Sequence, residues 1–377
     1  MLSSGRTLDG VFDGGFSELP RCLQRGARLV SLPVSSGATA VPLFIADFGT
    51  AFEGVVRVDN WQHLPRVAGE GAASGATGGV LRGYFENGGG YCYLADTAGK
   101  PLQEVLASTE AFDDVTIVVP LGLWDSGADE AGETARAVTA WAAAHRAMAI
   151  LHAGPEHDAR QARDAARAFK LDADQSAHAA LYHPWLILSG DGEPVPPVGA
   201  VAGQWCRVDR ERGVWKAPAN VTVHGARPSQ AVTDTEQGQA QPVGILREFT
   251  GQGLLVLGDR TLNETDDPWT YIAVRRLADM VERDLQKALQ WAMFEPNTQP
   301  TWEKLRAAAD GYLHDLWRQG GLQGSKPEEA YFIHIGQGIT MTDVDVRAGR
   351  IVLKVGLAAV RPAEFIPATV TGTVGEA

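Results

Sequence analysis

The chain has 377 residues, more than one small hydrophobic core needs, and this length predicts two or three domains. Its 45% hydrophobic and 21% charged residues are typical of a globular protein, and no run of about 18 apolar residues is present that could span a bilayer. The formal net charge of −13 disfavours non-specific binding to nucleic acid or to an anionic membrane, since both need a basic surface.

The first residues show no basic segment followed by an apolar core, so no secretory signal is evident and we expect cytoplasmic production. The cysteines Cys22, Cys92 and Cys206 are far apart and form no CxxC pair. This spacing argues against a zinc site or a disulfide framework. We expect all three to be small buried side chains.

Short apolar runs alternate with helical patterns in the first half of the chain. The runs predicted as strands are 40–48, 91–96, 115–120 and 147–153. The segments with helical spacing are 78–89, 133–146 and 156–169. Because the runs are apolar almost throughout, we expect strands that are covered on both faces. The alternation predicts an α/β layer with some parallel pairing.

Residues 207–220, "RVDRERGVWKAPAN", crowd charges of both signs around Trp215. Pro218 and Asn220 then suggest a rigid turn, so we interpret the segment as a loop. Dense charge beside a tryptophan fits three kinds of site: an active site, an anion-binding loop and a packed protein–protein joint.

The second half of the chain has a different pattern. Segment 225–243 is polar and predicts an exposed loop, and 251–262 predicts a strand and a turn. A long helix is expected to start at Asp267 as N-cap with Pro268 in the first turn. The other expected elements are a helix over 300–319, stopped by Gly320 and Gly321, and edge-like strands over 349–374.

Known catalytic patterns are missing from the sequence. It has no GxGxxG that opens a helix, no Walker motif, no GxSxG elbow and no HExxH. His152 and His157 follow a predicted strand, but no third ligand lies within sequence reach. We therefore favour a loop histidine and a helix-cap neighbour over a metal or acid/base pair.

Arg275 and Arg276 lie early in the long predicted helix. Periodicity favours a solvated face with an ion pair from Arg275 to Asp279, and the alternative is a salt bridge to another chain. Residues 295–297, "EPN", suit a turn between helices as well as a carboxylate site. The helical or turn spacing of four tryptophans favours core or interface anchors over a ligand platform; these are Trp269, Trp291, Trp302 and Trp317.

A set of ordered motifs resembles the contractile tail sheath proteins of phage tails, pyocins and related injection systems. The motifs are "ALYHPWL" (180–186), "PVPPVGAVAGQWCRVDRERGVWKAPAN" (194–220), "GDRTL" (258–262), "WTYIAVRRL" (269–277), "FEPN" (294–297) and "RPAEFI" (361–366). A weaker likeness covers 38–96, where "GVLRGYFENGGGYCYLAD" (79–96) carries it. The opening typical of the family, "PGVYVEE", is missing, and residues 1–26 match nothing in it.

The resemblance implies an α/β (mixed α+β) fold, with a sheath domain built on a mixed sheet flanked by helices and a smaller α/β outer domain. It also implies strand-exchange arms at both ends of the chain. The domain boundaries that follow are 1–37 for the N-terminal arm, 38–175 for the outer portion, 176–364 for the conserved C-terminal sheath domain and 365–377 for the C-terminal arm.

The family's function implies a structural subunit, without enzymatic activity or cofactor, in a sleeve of hexameric rings that contracts around an inner tube. The expected partners are further copies of the chain, the tube protein, and baseplate and cap proteins, with no nucleic acid and no insertion into membranes. The residues implied at interfaces between subunits or with the tube are Arg210, Arg212, Trp215, Lys216, Asn220, Arg260, Arg275, Arg276, Glu295, Asn297, Trp302, Glu364 and Phe365.

Two other functions remain open at this point. The unusual N-terminus allows a cap or baseplate-proximal protein that has the sheath fold but does not polymerise. An α/β enzyme with a pocket at 207–220 is the third hypothesis, and the missing set of nucleophile, base and orienting residue counts against it.

Overall fold

The computed structural model describes residue 34 and residues 36–49, 52–190, 192–265, 268–360 and 365–373. The chain divides into two compact units. The larger unit is Ala38–Leu277, and the terminal unit combines Met1–Gly37 with Ala278–Ala377.

A nine-stranded mixed sheet forms the centre of the larger unit, in the order β2-β3-β1-β4-β5-β6-β11-β12-β9. The pairs from β3 to β11 are parallel, whereas β2, β12 and β9 join antiparallel. Its strands are β1 (Pro42–Ala46), β2 (Val55–Val58), β3 (Cys92–Asp96), β4 (Ile117–Pro120), β5 (Met148–His152), β6 (Ala179–His183), β9 (Val221–Val223), β11 (Gly244–Phe249) and β12 (Gly253–Leu257).

The apolar strands of this sheet are covered on both faces, as their composition predicts. In β1, Phe44 and Ala46 pack into one hydrophobic cluster, while Leu43 and Ile45 pack into the other. Strands β1, β3, β4 and β5 confirm the four strands expected in the first half of the sequence. Buried parallel strands have no solvated face, so their sequences lack the polar alternation of exposed sheets.

Helices surround this sheet. They are α1 (Leu64–Ala68), α2 (Gly75–Glu86), α3 (Leu102–Ser108), α4 (Ala128–Ala144), α5 (Ala159–Ala168), α6 (Ala173–Ala177), α7 (Val198–Arg212) and α8 (Asp234–Gln239). Helices α2, α4 and α5 confirm the helical segments expected from spacing. Helices α2 and α7 approach so closely that a Cβ at Gly199 or Gly203 of α7 would overlap a carbonyl oxygen of α2.

The segment 225–243 is not the plain loop that its polar composition predicts. Residues Ala226–Pro228 form β10, which pairs with β7 (Leu186–Leu188), and β7 also pairs with β8 (Pro194–Val195). Helix α8 follows, and the Thr233 side chain caps it by accepting from Glu236 N. Capping by a polar residue explains how so polar a segment forms a helix.

The long second-half helix, α9, runs from Ile272 to Leu289 and starts later than expected. Pro268–Thr270 form a separate 3₁₀ turn instead of the first helical turn, and Asp267 lies outside the described residues. Backbone bonds from Thr261 N to Thr270 O and from Ile272 N to Asp259 O hold this turn. An aspartate followed by a proline, which predicted the first turn of the helix, thus marks a 3₁₀ turn that precedes α9.

The terminal unit contains the end of α9, a 3₁₀ turn (Gln290–Phe294), α10 (Gln299–Arg318), α11 (Pro327–Ala330) and α12 (Asp343–Arg347). Its sheet has the order β13-β14-β15, all antiparallel, with strands Tyr331–Ile335, Arg350–Ala358 and Phe365–Thr373. The expected helix 300–319 is therefore confirmed, and Gly320 follows its end with φ 81°. The expected strands of 349–374 are confirmed, and β15 lies at the sheet edge, but β14 is the central strand, so its expected edge position was wrong.

The predicted division between residues 175 and 176 and the positions of the four domains within a particle stay predictions. Strands β5 and β6, which lie on either side of that division, are neighbours in the nine-stranded sheet. Cys92 and Cys206 are buried free thiols, as expected, and Cys22 lies outside the described residues.

Two buried histidines terminate neighbouring parallel strands. His152 ends β5 and His183 ends β6, with exposed fractions of 0% and 1%. Burial lowers the pKa of each from 6.5 to about 4, because a charged imidazole is poorly solvated there. The charges of Asp158 and Glu236 act weakly in the opposite direction on His183.

Because the pKa of both histidines is lowered in the folded chain, we expect the free energy of unfolding to fall in acid. The unfolded chain takes up their protons near pH 6.5, and the folded chain only near pH 4, so stability is complete above pH 6.5 and falls as the pH drops towards 4. For His152 the loss is about 3 kcal/mol. We expect His152→Gln to flatten the decline in urea-unfolding free energy between pH 7.5 and 4.5, while His334→Gln, at an exposed site, leaves it unchanged. Equal declines in wild type and His152→Gln would contradict this assignment.

Candidate functional site

The charged run 207–220 is half helix, which corrects its interpretation as one loop. Helix α7 continues through Arg212 and ends at Gly213, whose φ of 92° is outside the helical range. Residues 207–212 include no proline or glycine, so nothing stops the helix before Gly213. Arg210 and Arg212 lie in its last turn, where positive charge interacts favourably with the helix dipole.

Asp209 and Arg276 form a buried two-point ion pair between α7 and α9. Nη1 and Nη2 of Arg276 donate to Oδ1 and Oδ2 of Asp209 at 3.0 and 2.6 Å. Nη2 also donates to the carbonyl oxygen of Thr39 at 3.0 Å. The two side chains are 3% and 4% exposed. Paired hydrogen bonds of this kind fix orientation as well as distance.

An aromatic ring accompanies each arginine of the 260–276 region. Cζ of Arg276 is 4.6 Å from the ring centre of Trp205, a residue that is fully buried in α7. Cζ of Arg275 lies 3.9 Å from the ring centre of Trp269. The same distance from Arg260 to Tyr271 is 5.5 Å. Stacking on a ring stabilises a desolvated guanidinium by about 2 kcal/mol or more.

Arg275 and Arg276 therefore do not lie on a solvated helix face, and that interpretation was wrong. Both are 3% exposed, and Asp279 is 1% exposed. Helical spacing alone could not reveal this, because burial of these charges depends on ring and carboxylate partners from other elements. A role of Arg275, Arg276 and Arg260 between subunits stays a prediction.

The second half of the run forms the turn that leads into β9. A Cβ at Gly213 would overlap the ring of Trp215, so this ring lies against the glycine backbone. Trp215 and Lys216 are half-buried, whereas Pro218 is buried. Asn220 has φ 55°, a conformation that asparagine tolerates, and its N–H donates to Val256 O at 2.7 Å.

Two arginines of α7 bind the backbone of neighbouring elements. Arg210 Nη1 donates to Gly88 O at 3.2 Å, in the glycine-rich turn after α2. Arg207 Nη2 donates to Thr222 O at 3.3 Å. Arg212 is exposed at the end of the helix. The charges of the run thus serve both the fold and the surface, and the interface roles of Arg210, Arg212, Trp215, Lys216 and Asn220 stay predictions.

Asn297 and Trp302 meet in the terminal unit. Oδ1 of Asn297 accepts from Trp302 Nε1 at 2.7 Å, and its Nδ2 donates to Val346 O and Arg350 O at 3.2 and 3.1 Å. Asn297, just before α10, therefore binds both the end of α12 and the first residue of β14. Glu295, half-buried, closes the preceding 3₁₀ turn through its N–H. This geometry fits a turn between two helices, which was one of the two interpretations of "EPN"; the other was a carboxylate site.

Two cavities, of about 370 and 540 Å³, follow the groove between α10 and β13. Glu303 and Arg306 line both of them, and Trp302 lines the larger. Phe365 is the first residue of β15, opposite Ala358 in the pairing register, and Glu364 lies outside the described residues.

Sequence reasoning missed Trp205 and Asp209 as the partners of Arg276. The available signal was their spacing: residues four apart share a helix face, so a helical interpretation of 198–212 would have placed both on one side. It also missed the buried carboxylate of Asp284, which accepts from Tyr312 Oη at 2.6 Å.

The described residues contain no group of three or more His, Cys, Asp or Glu side chains that could hold a metal ion. Among those same residues, no helix has the length and apolar character needed to span a membrane.

Comparison with protein families places residues 264–373 in the phage tail sheath C-terminal domain. The tail sheath protein of Vibrio phage KVP40 is 26% identical over 134 residues, which are 34% of this chain and 20% of that protein. The chain therefore matches about a fifth of the length of that curated relative.

Solved structures give matches over nearly the whole chain. The sheath complex of PVC, an extracellular contractile injection system, in its contracted state is 39% identical with a TM-score of 0.78, covering 94% of this chain and 97% of that one. The contracted helical sheath of the anti-feeding prophage AFP is 35% identical with a TM-score of 0.75, covering 93% and 98%. A chain of the AFP baseplate is 34% identical with a TM-score of 0.73, again covering 93% and 98%.

The expected mixed α/β sheath fold is thereby confirmed, and so is the expected role as a contractile sheath subunit. This protein belongs to the family of contractile sheath proteins.

Proposed function

We propose that copies of this chain form hexameric rings, stacked helically around an inner tube, whose contraction drives the tube through a target membrane. The observation that carries this proposal is the near-full-length similarity to the PVC sheath. The expected partners are the tube protein and the baseplate and cap proteins. The chain works in this scheme without a cofactor, without nucleic acid, without catalysis and without inserting itself into the membrane. Its place of production is the bacterial cytoplasm.

The work of contraction comes from a difference in free energy between two packings of the same chain. Extended sheaths store this difference, and each subunit releases a modest part of it on moving to the contracted packing. Buried pairs such as Asp209–Arg276 stay fixed while each body moves, because breaking such a pair costs about 3–5 kcal/mol. Exposed charges such as Arg212 change partners at low cost, since exposed ion pairs contribute about 0–1 kcal/mol each.

Strand β15 is proposed to connect subunits by exchange. It pairs with β14 over nine residues, from Arg350↔Thr373 to Ala358↔Phe365. The six residues 359–364 join the two strands. A chain can exchange an identical strand with its neighbour while keeping every backbone hydrogen bond, so exchange costs little free energy. The same register on β14 of a neighbouring copy then links the subunits.

A cysteine pair tests polymerisation and exchange together. Val352 and Thr371 are register partners, so Val352→Cys with Thr371→Cys allows a disulfide between β14 and β15. We expect sheaths assembled with the tube protein, and seen as long tubes by negative-stain electron microscopy, to give covalent multimers after oxidation. Unassembled protein should give a link within one chain. Each single cysteine variant is the control.

Assembled sheaths that yield only monomers after oxidation would contradict strand exchange. Isolated particles without tubes, under conditions where the tube protein polymerises, would contradict the sheath assembly itself.

Arg212 offers a test of the interface predicted for 207–220. It is exposed and outside the buried ion pair, so Arg212→Glu should leave the melting temperature within about 2 °C of wild type. We expect this variant to shorten or abolish sheaths, because reversed charge opposes the contact between copies. Arg160→Glu, an exposed reversal on α5, is the matched control. Sheaths of normal length and normal contraction in Arg212→Glu would remove Arg212 from the interface.

The likeness to the AFP baseplate chain favours a second candidate, a sheath protein at the baseplate end of the particle. Such a protein would form short collars instead of long tubes in the same microscopy experiment.

A further inference from the structure

A buried carboxylate of α9 holds the segment that precedes the first strand. Oδ1 of Asp284 accepts from the backbone N–H of Gly37 at 2.9 Å. Its Oδ2 accepts from Tyr312 Oη in α10 at 2.6 Å. The Ser36 side chain is in turn hydrogen-bonded to Tyr312. One carboxylate and one phenol thus bind two consecutive residues of the chain to two helices of the terminal unit.

The fit around Gly37 is close. A Cβ at this position would lie 3.0 Å from Asp284 Oδ1, so a larger residue would push the segment away from the carboxylate. Asp284 is 2% exposed and Tyr312 is 7% exposed. Burial raises the pKa of Asp284, which means that the fold retains a carboxylate where its charge is costly.

Replacing a buried polar pair as a whole by well-packed apolar residues is often neutral for stability, so stability alone does not account for a carboxylate and a phenol at this place. The Asp284 carboxylate accepts from the backbone N–H of Gly37 and from Tyr312, the tyrosine that is also hydrogen-bonded to Ser36. This pattern suits a residue that fixes a chain segment in place.

We propose that Asp284 is the anchor from which the preceding residues of the chain, the proposed N-terminal arm, extend to a neighbouring subunit. The proposal rests on the proposed function as a polymerising sheath subunit. Asp284 is a positioning residue: it fixes the place where the arm starts, and the arm itself contacts the neighbouring subunit.

The anchor matters because it shortens the free chain between the body of the subunit and its N-terminal arm. Arg276 Nη2 also holds the chain two residues further on, by donating to the carbonyl oxygen of Thr39. If the contact of Asp284 with Gly37 is lost, the free part of the chain lengthens towards that point, and each residue released adds about 3.5 Å at full extension. Helical assemblies need every arm to leave at the same place, so added freedom of this size weakens each connection.

Three variants test the anchor from both sides of the contact. Asp284→Ala removes the acceptor, Gly37→Ala displaces the segment, and Asp284→Asn keeps an oxygen for Gly37 and serves as the matched control. We expect the first two to speed hydrogen–deuterium exchange of the Gly37 amide in the monomer by about tenfold or more. Sheaths assembled with the tube protein should be several times shorter, or absent, with circular dichroism unchanged. Asp284→Asn should stay within about twofold of wild type in both measurements.

Normal sheaths with Asp284→Ala and Gly37→Ala would overturn the proposal, whether or not exchange speeds up. If Asp284→Ala fails to fold, Gly37→Ala decides, because that change lies outside the helices. An Asp284→Asn variant that assembles as poorly as Asp284→Ala while Gly37 still exchanges slowly would assign the effect to charge and overturn the anchor. A wild type that forms no sheaths refutes the proposed function, and monomer exchange still decides whether Asp284 holds Gly37.

Discussion

The buried pair between Arg276 and Asp209 is the interaction on which the larger unit depends most. The guanidinium bridges α9, α7 and the backbone of Thr39, and it rests on the ring of Trp205. Two charges removed from water are tolerated only when each is fully paired, and here two hydrogen bonds and a ring supply the partners. The Arg276 side chain therefore connects α9 directly to α7 and to the segment before β1.

Helix α9 contributes to both compact units, since Ile272–Leu277 belong to the larger unit and Ala278–Leu289 to the terminal unit. Its buried charges differ in partner: Arg276 binds a carboxylate, and Asp284 binds a backbone amide and a phenol. A sheath subunit must keep its body intact while its contacts with neighbours change. In our account, buried hydrogen bonds and ion pairs keep the body intact, and exposed charges at its surface make the contacts that change.

Sequence patterns predicted the parts of the fold that depend on local composition. The four strands of the first half are apolar throughout, and α10 has a plain amphipathic pattern ended by Gly320, so both were predictable. The start of α9 was not, because a proline turn held by Asp259 and Thr261 imitates a helix start. The burial of Arg276 was missed since its ring and its carboxylate, Trp205 and Asp209, come from α7, far away in the sequence. The family resemblance supplied function, and the residues at subunit contacts stay predictions.

A double-mutant cycle with Asp209→Asn and Arg276→Gln tests most directly whether the charged motif serves the inside of the subunit. The measured quantity is the free energy of unfolding of the unassembled protein in urea, at two protein concentrations. Our account predicts a coupling of about 2 kcal/mol or more that does not depend on concentration, because the pair lies within one chain. Additive losses, or a coupling that is detected only once sheaths form, would contradict it.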